Sequence, residues 1–234
     1  GLNDPAKPIA TLLLAGPTGV GKTAAAKALA EYFFGAGGTE RSERGGTRTR
    51  DPLFRIDMSE FQHAFQIARL IGTADKPGTL VEHVRHQPFG VLLLDEIEKA
   101  DPSVFDLLLN VLDEGRLRDG RGRLTDFRST LIVMTTNLGV RHGASLGFAS
   151  GDAADGIEHE IRQFFRPEFY NRINRVVRFE PLSREAIDAI TRHELESIAQ
   201  REGLLRRGAG LRFTPRLVDF IADVGFSSKY GARA

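Results

Sequence analysis

The chain has 234 residues, 41% of them hydrophobic and 27% charged, which is enough length and apolar content for one large domain with a small one after it. A net charge of +1 supplies no overall field favouring nucleic acid or a membrane surface, and the lack of cysteine excludes disulfides and Cys-based zinc sites. No apolar run approaches the roughly 18–20 residues of a membrane span. The opening GLNDPAKP has no signal-peptide core. The expectation is a cytoplasmic protein with no nucleic-acid or membrane partner, and both ends of the chain read as cut.

Residues 9–15 read as a short buried strand. The turn that follows, Gly16, Pro17, Thr18, Gly19, Val20, Gly21, Lys22 and Thr23, satisfies the G-x-x-x-x-G-K-[ST] spacing of a phosphate-binding loop. Its glycines let backbone N–H groups turn inward around an anion, and the helix that follows points its positive end at the same place. Lys22 is expected to reach the β- and γ-phosphates of a nucleoside triphosphate, and Thr23 to place its hydroxyl on Mg²⁺. Residues 22–34 are rich in alanine and read as that helix. Residues 35–51 hold five glycines with mixed charges and read as a surface loop.

Farther along, 53–57 reads as a second strand, and 64–71 and 79–86 as helices. Residues 91–94, all apolar, read as a buried strand delivering Asp95 and Glu96 at its C-terminal end, where open α/β sheets place their ligands. Asp95 is expected to hold Mg²⁺, and Glu96 to orient and activate an attacking water. Residues 102–114 form an amphipathic helix with Pro102 in its first turn. Residues 115–127 read as a hairpin or polar turn, and 130–136 as a strand ending on Asn137, which is placed to reach the γ-phosphate or the water. Residues 141–156 read as a loop. Strands alternating with helices predict a parallel sheet covered on both faces. After Pro181 only helices follow: 183–202, capped by Ser183, and 214–224, capped by Thr214 with Pro215 at its first position. The expected division is a large α/β domain over 1–181 and a small helical domain over 182–234. Arg166, Arg172 and Arg233 are candidate charge-neutralising groups that position alone does not separate.

The succession GPTGVGKT, RIDMSEF, ARLIG, LLLDEIEKA, GRL-x-DG-x-GR-x-x-DFR, MTTNLG, FRPEF-x-NRI and YGAR resembles the Clp-type AAA+ ATPases, the group of ClpA, ClpB and ClpC, in their second ATPase module. The resemblance spans nearly the whole chain. It implies a P-loop NTPase fold with five parallel strands between helices and a helical lid. It also implies a homo-hexameric ring that hydrolyses ATP to ADP with Mg²⁺ and remodels protein clients. On this resemblance Lys22 and Thr23 match the Walker A pair, Asp95 and Glu96 the Walker B pair, and Asn137 the first sensor. Arg172 matches the arginine finger that enters a neighbour's site, and Arg233 the second sensor on the lid.

The chain departs from that pattern in places. An aromatic Gly-Tyr-Val-Gly loop is expected after RLIG, yet only TADKPGT separates Gly72 from Leu80, and no aromatic residue lies between Gln66 and Pro88. NRIDE reads here as NRINR, with Asn174 and Arg175. The alternative is therefore an ATPase that acts as a conformational switch or assembly factor without threading its client. Leu146-Gly147-Phe148 resembles the tripeptide with which some Clp unfoldases dock a ClpP-like protease.

Overall fold

The apolar strands assemble into one five-stranded sheet in which every pairing is parallel. The computed structural model describes residues 4–35, 39–41, 47–49, 51–139, 153–200, 206 and 210–225. In chain order the sheet strands are β1 (Ala10–Ala15), β4 (Leu53–Asp57), β5 (Gly90–Asp95), β8 (Thr130–Thr136) and β9 (Arg175–Arg178). Two short antiparallel pairs intervene, β2 (Thr39–Arg41) with β3 (Thr47–Thr49), and β6 (Arg116–Arg118) with β7 (Leu124–Asp126). The spatial order is β4-β5-β8-β1-β9. Every residue of β5 and of β8 is buried, as near-continuous apolar runs covered on both faces require.

The helices of the sheet-bearing unit are α1 (Lys22–Phe34), α2 (Ile67–Ile71), α3 (Thr79–His86), α4 (Pro102–Glu114), α5 (Ala153–Phe164) and α6 (Pro167–Tyr170). Helix α4 begins where the Asp101 carboxylate accepts the Ser103 N–H at 3.0 Å and ends on Gly115 at a φ of 60°. Its buried Val104, Leu107, Leu108, Val111 and Leu112 recur at helical spacing. Phe105 of α4 meets Phe169 of α6 edge-to-face at 5.1 Å and Phe165 at 5.7 Å, which anchors the segment after α5.

The chain divides into two compact units, residues 1–16 with 22–178, and residues 17–21 with 179–234. The second contains α7 (Arg184–Ala199), capped by the Ser183 hydroxyl, and a helix at Pro215–Gly225. Arg184 pairs with Asp188 one turn along α7 at 3.0 Å and joins the two helices through Asp223. Among the described residues, no helix is long and apolar enough to cross a membrane.

Three parts differ from the expectation. Residues 175–178 form the fifth strand, which RVVR does not announce because an exposed edge strand of this length carries little apolar pattern. The stretch read as a loop over 35–51 contains the β2–β3 pair, with Thr39 opposite Thr49. The stretch read as a loop over 141–156 gives way to helix at Ala153, and Ile161 and Phe165 bury its inner side in the core.

The segment after α2 is a closed turn. Gly72 and Pro77 form a β-bridge, and the Thr73 N–H donates to the Lys76 carbonyl at 2.8 Å. Arg121, at the tip of the β6–β7 hairpin, donates to the carbonyls of Ala74 (2.9 Å) and Asp75 (2.6 Å). A Cβ on Gly120 would come within 2.4 Å of the Gly72 carbonyl oxygen, so only glycine permits this approach.

Candidate functional site

Because β5, β8 and β1 are neighbours and parallel, the residues that follow each of them emerge together at the carboxyl end of the sheet. The turn after β1 carries Gly16, Pro17, Thr18, Gly19, Val20 and Gly21, and Lys22 and Thr23 open α1. Gly16, Gly19 and Gly21 take φ values of 153°, 75° and 96°. Positive φ at such close spacing is what lets successive N–H groups line a concave anion cradle. Lys22 is buried, and its ammonium donates to the Gly16 carbonyl at 2.6 Å and to Asn137 Oδ1 at 2.9 Å.

Asp95 ends β5 with 6% of its surface exposed. The Thr135 hydroxyl on β8 donates to one of its carboxylate oxygens. The guanidinium of Arg55 on β4 pairs with the other at 2.6 Å. Thr135 Oγ1 also accepts the Glu96 N–H at 2.9 Å, so one hydroxyl aligns both acids.

Glu96 sits in the left-handed region, at φ 55° and ψ 52°, and is the only non-glycine residue with positive φ among those described. That conformation costs about 1–2 kcal/mol, and such strain collects where a side chain must be aimed. The Glu96 carboxylate lies 3.7 Å from the Lys99 ammonium and 3.4 Å from Asn137 Nδ2. The Asn137 amide thus bridges Lys22 and Glu96. Glu98 adds a further contact, accepting the Asn137 N–H at 3.1 Å and its Nδ2 at 3.3 Å.

The structure therefore brings Lys22, Asp95, Glu96 and Asn137 into one network. Arg172 is placed elsewhere, in the turn after α6, where it pairs with Asp113 of α4. Arg166 pairs with Asp106 at 3.0 Å, with both side chains exposed. Arg233 and Leu146-Gly147-Phe148 lie outside the described residues. Asn174 supports the sheet: its Oδ1 accepts the Thr11 N–H at 2.7 Å, and its own N–H donates to the Thr11 carbonyl at 2.9 Å.

The residues that sequence reasoning passed over are Arg55, Glu98 and Thr135. Arg55 and Glu98 lie inside the quoted RIDMSEF and LLLDEIEKA segments without a role, and Thr135 reads as one more strand residue. The donor set suits a hard, oxygen-seeking cation. A carboxylate on Asp95 and a hydroxyl on Thr23 are oxygen donors of the kind that would suit Mg²⁺, with phosphates and water supplying the rest. Among the described residues there is no cluster of three or more His, Cys, Asp and Glu that could hold a metal without such help.

Residues 7–176 match the family model described as AAA domain (Cdc48 subfamily), and residues 182–234 match that of the C-terminal, D2-small domain of ClpB protein. The chain is 42% identical over 243 residues to the chloroplastic chaperone protein ClpC4 of Oryza sativa subsp. japonica, covering 100% of this chain and 25% of that protein. It is 40% identical over 238 residues to the chaperone protein ClpB of Bdellovibrio bacteriovorus, covering 99% and 26%. For ClpB of Meiothermus ruber the figures are 42% over 242 residues, 100% and 27%. The chain thus spans about a quarter of the length of the curated relatives it matches. Among solved structures it is similar to Hsp104 in a closed-state cryo-EM reconstruction with ATPγS and FITC casein. The TM-score is 0.81 at 32% identity, covering 100% of this chain and 39% of that one.

Proposed function

The chain belongs to the AAA ATPase family, in its Clp chaperone group, and on that footing we propose that it is the second ATPase module of a protein-remodelling machine. The reaction is hydrolysis of ATP to ADP and phosphate. The observation that carries this reading is the convergence of Lys22, Asn137, Asp95 and Glu96 at the ends of three adjacent parallel strands.

In this reading the cradle of residues 16–21 binds the phosphates, and the Lys22 ammonium passes from its Gly16 and Asn137 contacts to the β- and γ-oxygens. Thr23 and Asp95 are the residues that would hold Mg²⁺, which neutralises phosphate charge when bound with the nucleotide. Glu96 aims its carboxylate at the attacking water and takes its proton. Asn137 steadies that carboxylate from the neighbouring strand. Phosphoryl transfer asks little of the protein beyond positioning and charge neutralisation, which matches a site made of oriented polar groups.

Assembly into a homo-hexamer would bring Arg172 to the site of the adjacent subunit, and Arg233 would act from the lid within the chain. The domains would be residues 1–181 and 182–234. The client is a protein, a ClpP-like protease is the partner assigned to Leu146-Gly147-Phe148, and the compartment is the cytoplasm.

The test pairs Lys22→Ala with Glu96→Gln in the full-length protein. Lys22→Ala is expected to weaken ATP binding, and Glu96→Gln to keep binding while nearly stopping turnover. ATP-dependent unfolding of a tagged fluorescent protein then reads the remodelling step. Unchanged ATP affinity in the first variant, or wild-type turnover in the second, overturns the assignment.

A further inference from the structure

The two ends of the Asn137 carboxamide have nearly the same shape but opposite hydrogen-bonding character. The structure uses both. Oδ1 accepts from the Lys22 ammonium at 2.9 Å, and Nδ2 faces the Glu96 carboxylate at 3.4 Å. A flip of this amide would aim N–H groups at a cation and a carbonyl oxygen at a carboxylate. When Lys22 turns to a phosphate, the contact at Oδ1 is given up, and something else must hold the orientation.

We propose that Glu98 is the positioning residue that fixes the Asn137 amide, so that Nδ2 stays directed at Glu96 through the cycle. One oxygen of Glu98 accepts both the Asn137 backbone N–H (3.1 Å) and Nδ2 (3.3 Å). These two contacts pin the residue at its main chain and at the end of its side chain. The amide has two N–H groups, one for each glutamate, so the arrangement is complete only with both carboxylates present. Glu98 stands on the single 3₁₀ turn Ile97–Lys99 that directly follows the left-handed Glu96. The same short segment therefore sets the acid and the residue that orients its partner.

The second oxygen of Glu98 is buried with no hydrogen-bond partner among the described residues. A carboxylate oxygen in that state costs stability, and a residue present for packing alone would not carry this cost. The proposal rests on the reading of Lys22, Glu96 and Asn137 as the ATPase site, and it adds a residue to which that reading gives no part.

The experiment is a double-mutant cycle in the full-length protein, reading kcat, nucleotide affinity and thermal midpoint for Glu98→Ala, Glu98→Gln, Asn137→Ala and the Glu98→Ala/Asn137→Ala pair. Glu98→Ala should lower kcat about tenfold with ATP affinity changed less than about twofold. Glu98→Gln keeps an acceptor oxygen and should recover most of the rate. The double variant should be no slower than Asn137→Ala alone. The proposal is overturned if the two substitutions multiply independently, if affinity and kcat fall together, or if Glu98→Gln is as slow as Glu98→Ala at equal thermal midpoint. Wild-type turnover in Asn137→Ala identifies failure of the site reading itself, and the role of Glu98 falls with it.

Discussion

Arg55 occupies one face of Asp95: its guanidinium lies 2.6 Å from a carboxylate of which only 9% of the side chain is exposed, while Arg55 itself is 48% exposed. The buried acid is thus neutralised from the rim of the site, at the group assigned to Mg²⁺. Removing Arg55 leaves the charge buried and unpaired, and a half-exposed partner limits the penalty to about 1–2 kcal/mol. Arg55→Ala should show that loss in urea unfolding without nucleotide, and the gap to wild type should narrow when Mg²⁺-ATP is added. An equal gap in both conditions would mean that Arg55 and the metal do not share the Asp95 charge.

Thr135 is expected to matter as much as a named catalytic group. Valine keeps its shape and removes the hydroxyl, so Asp95 loses a donor and the strained Glu96 loses the acceptor for its N–H. Thr135→Val should destabilise the protein by about 1–3 kcal/mol and reduce ATP turnover about tenfold. Denaturant melts and steady-state ATPase rates check both. Lost stability with wild-type turnover would reduce Thr135 to a support of the sheet.

Asp119 gives the hairpin β6–β7 an acid-sensitive anchor. Burial by itself pushes its carboxyl up, but the N–H groups of Arg123 and Arg121 and the guanidiniums of Arg85 and Arg123 outweigh this and hold it well below its ordinary 3.8. The folded-state value lies below the unfolded one, so the contribution is fully present above about pH 4 and is lost as pH falls toward the folded value. Asp119→Asn should be less stable than wild type at neutral pH, and the difference should shrink on acidification. A constant difference down to acid pH would refute the linkage.

Arg172 is held in its own chain by a half-buried pair with Asp113, so its replacement should cost about 1 kcal/mol of stability. If it serves a neighbouring site, Arg172→Ala should fold normally and lose about 10³-fold in hydrolysis. Mixing it with Lys22→Ala protein should restore part of the activity, because mixed rings pair an intact cradle with an intact arginine. Failure of rescue in confirmed hexamers would sink the action in trans.

Much of the site was legible because it is built from local sequence at strand ends. The turn from Gly16 to Thr23 and the acids after 91–94 announce themselves by spacing, and the structure joins Lys22 to Asn137 and Asn137 to Glu96. Helices 102–114 and 79–86 were also readable, since helical periodicity acts over a turn or two and Pro102 marks the first turn of the longer one. The edge strand Arg175–Arg178 was not, because its pairing with β1 is a long-range event and all of its residues but the half-buried Val176 are exposed. The helix starting at Ala153 was hidden by glycines and polar residues, and its place is decided by Ile161 and Phe165 meeting the core.

The sequence by itself determined the family, the phosphate-binding turn and the order of the acids, because these depend on residue type at short spacing. Only the tertiary structure decided which side chains share a charge. Arg55 meets Asp95 because β4 lies beside β5, Thr135 meets Asp95 and Glu96 because β8 lies on the other side, and Glu98 meets Asn137 across the same strand pair. It also decided that the segment lacking an aromatic residue is a closed turn, since Arg121, some 46 residues away, reaches its carbonyls. Strand adjacency brings together residues tens of positions apart, and no local pattern records which strand will be the neighbour.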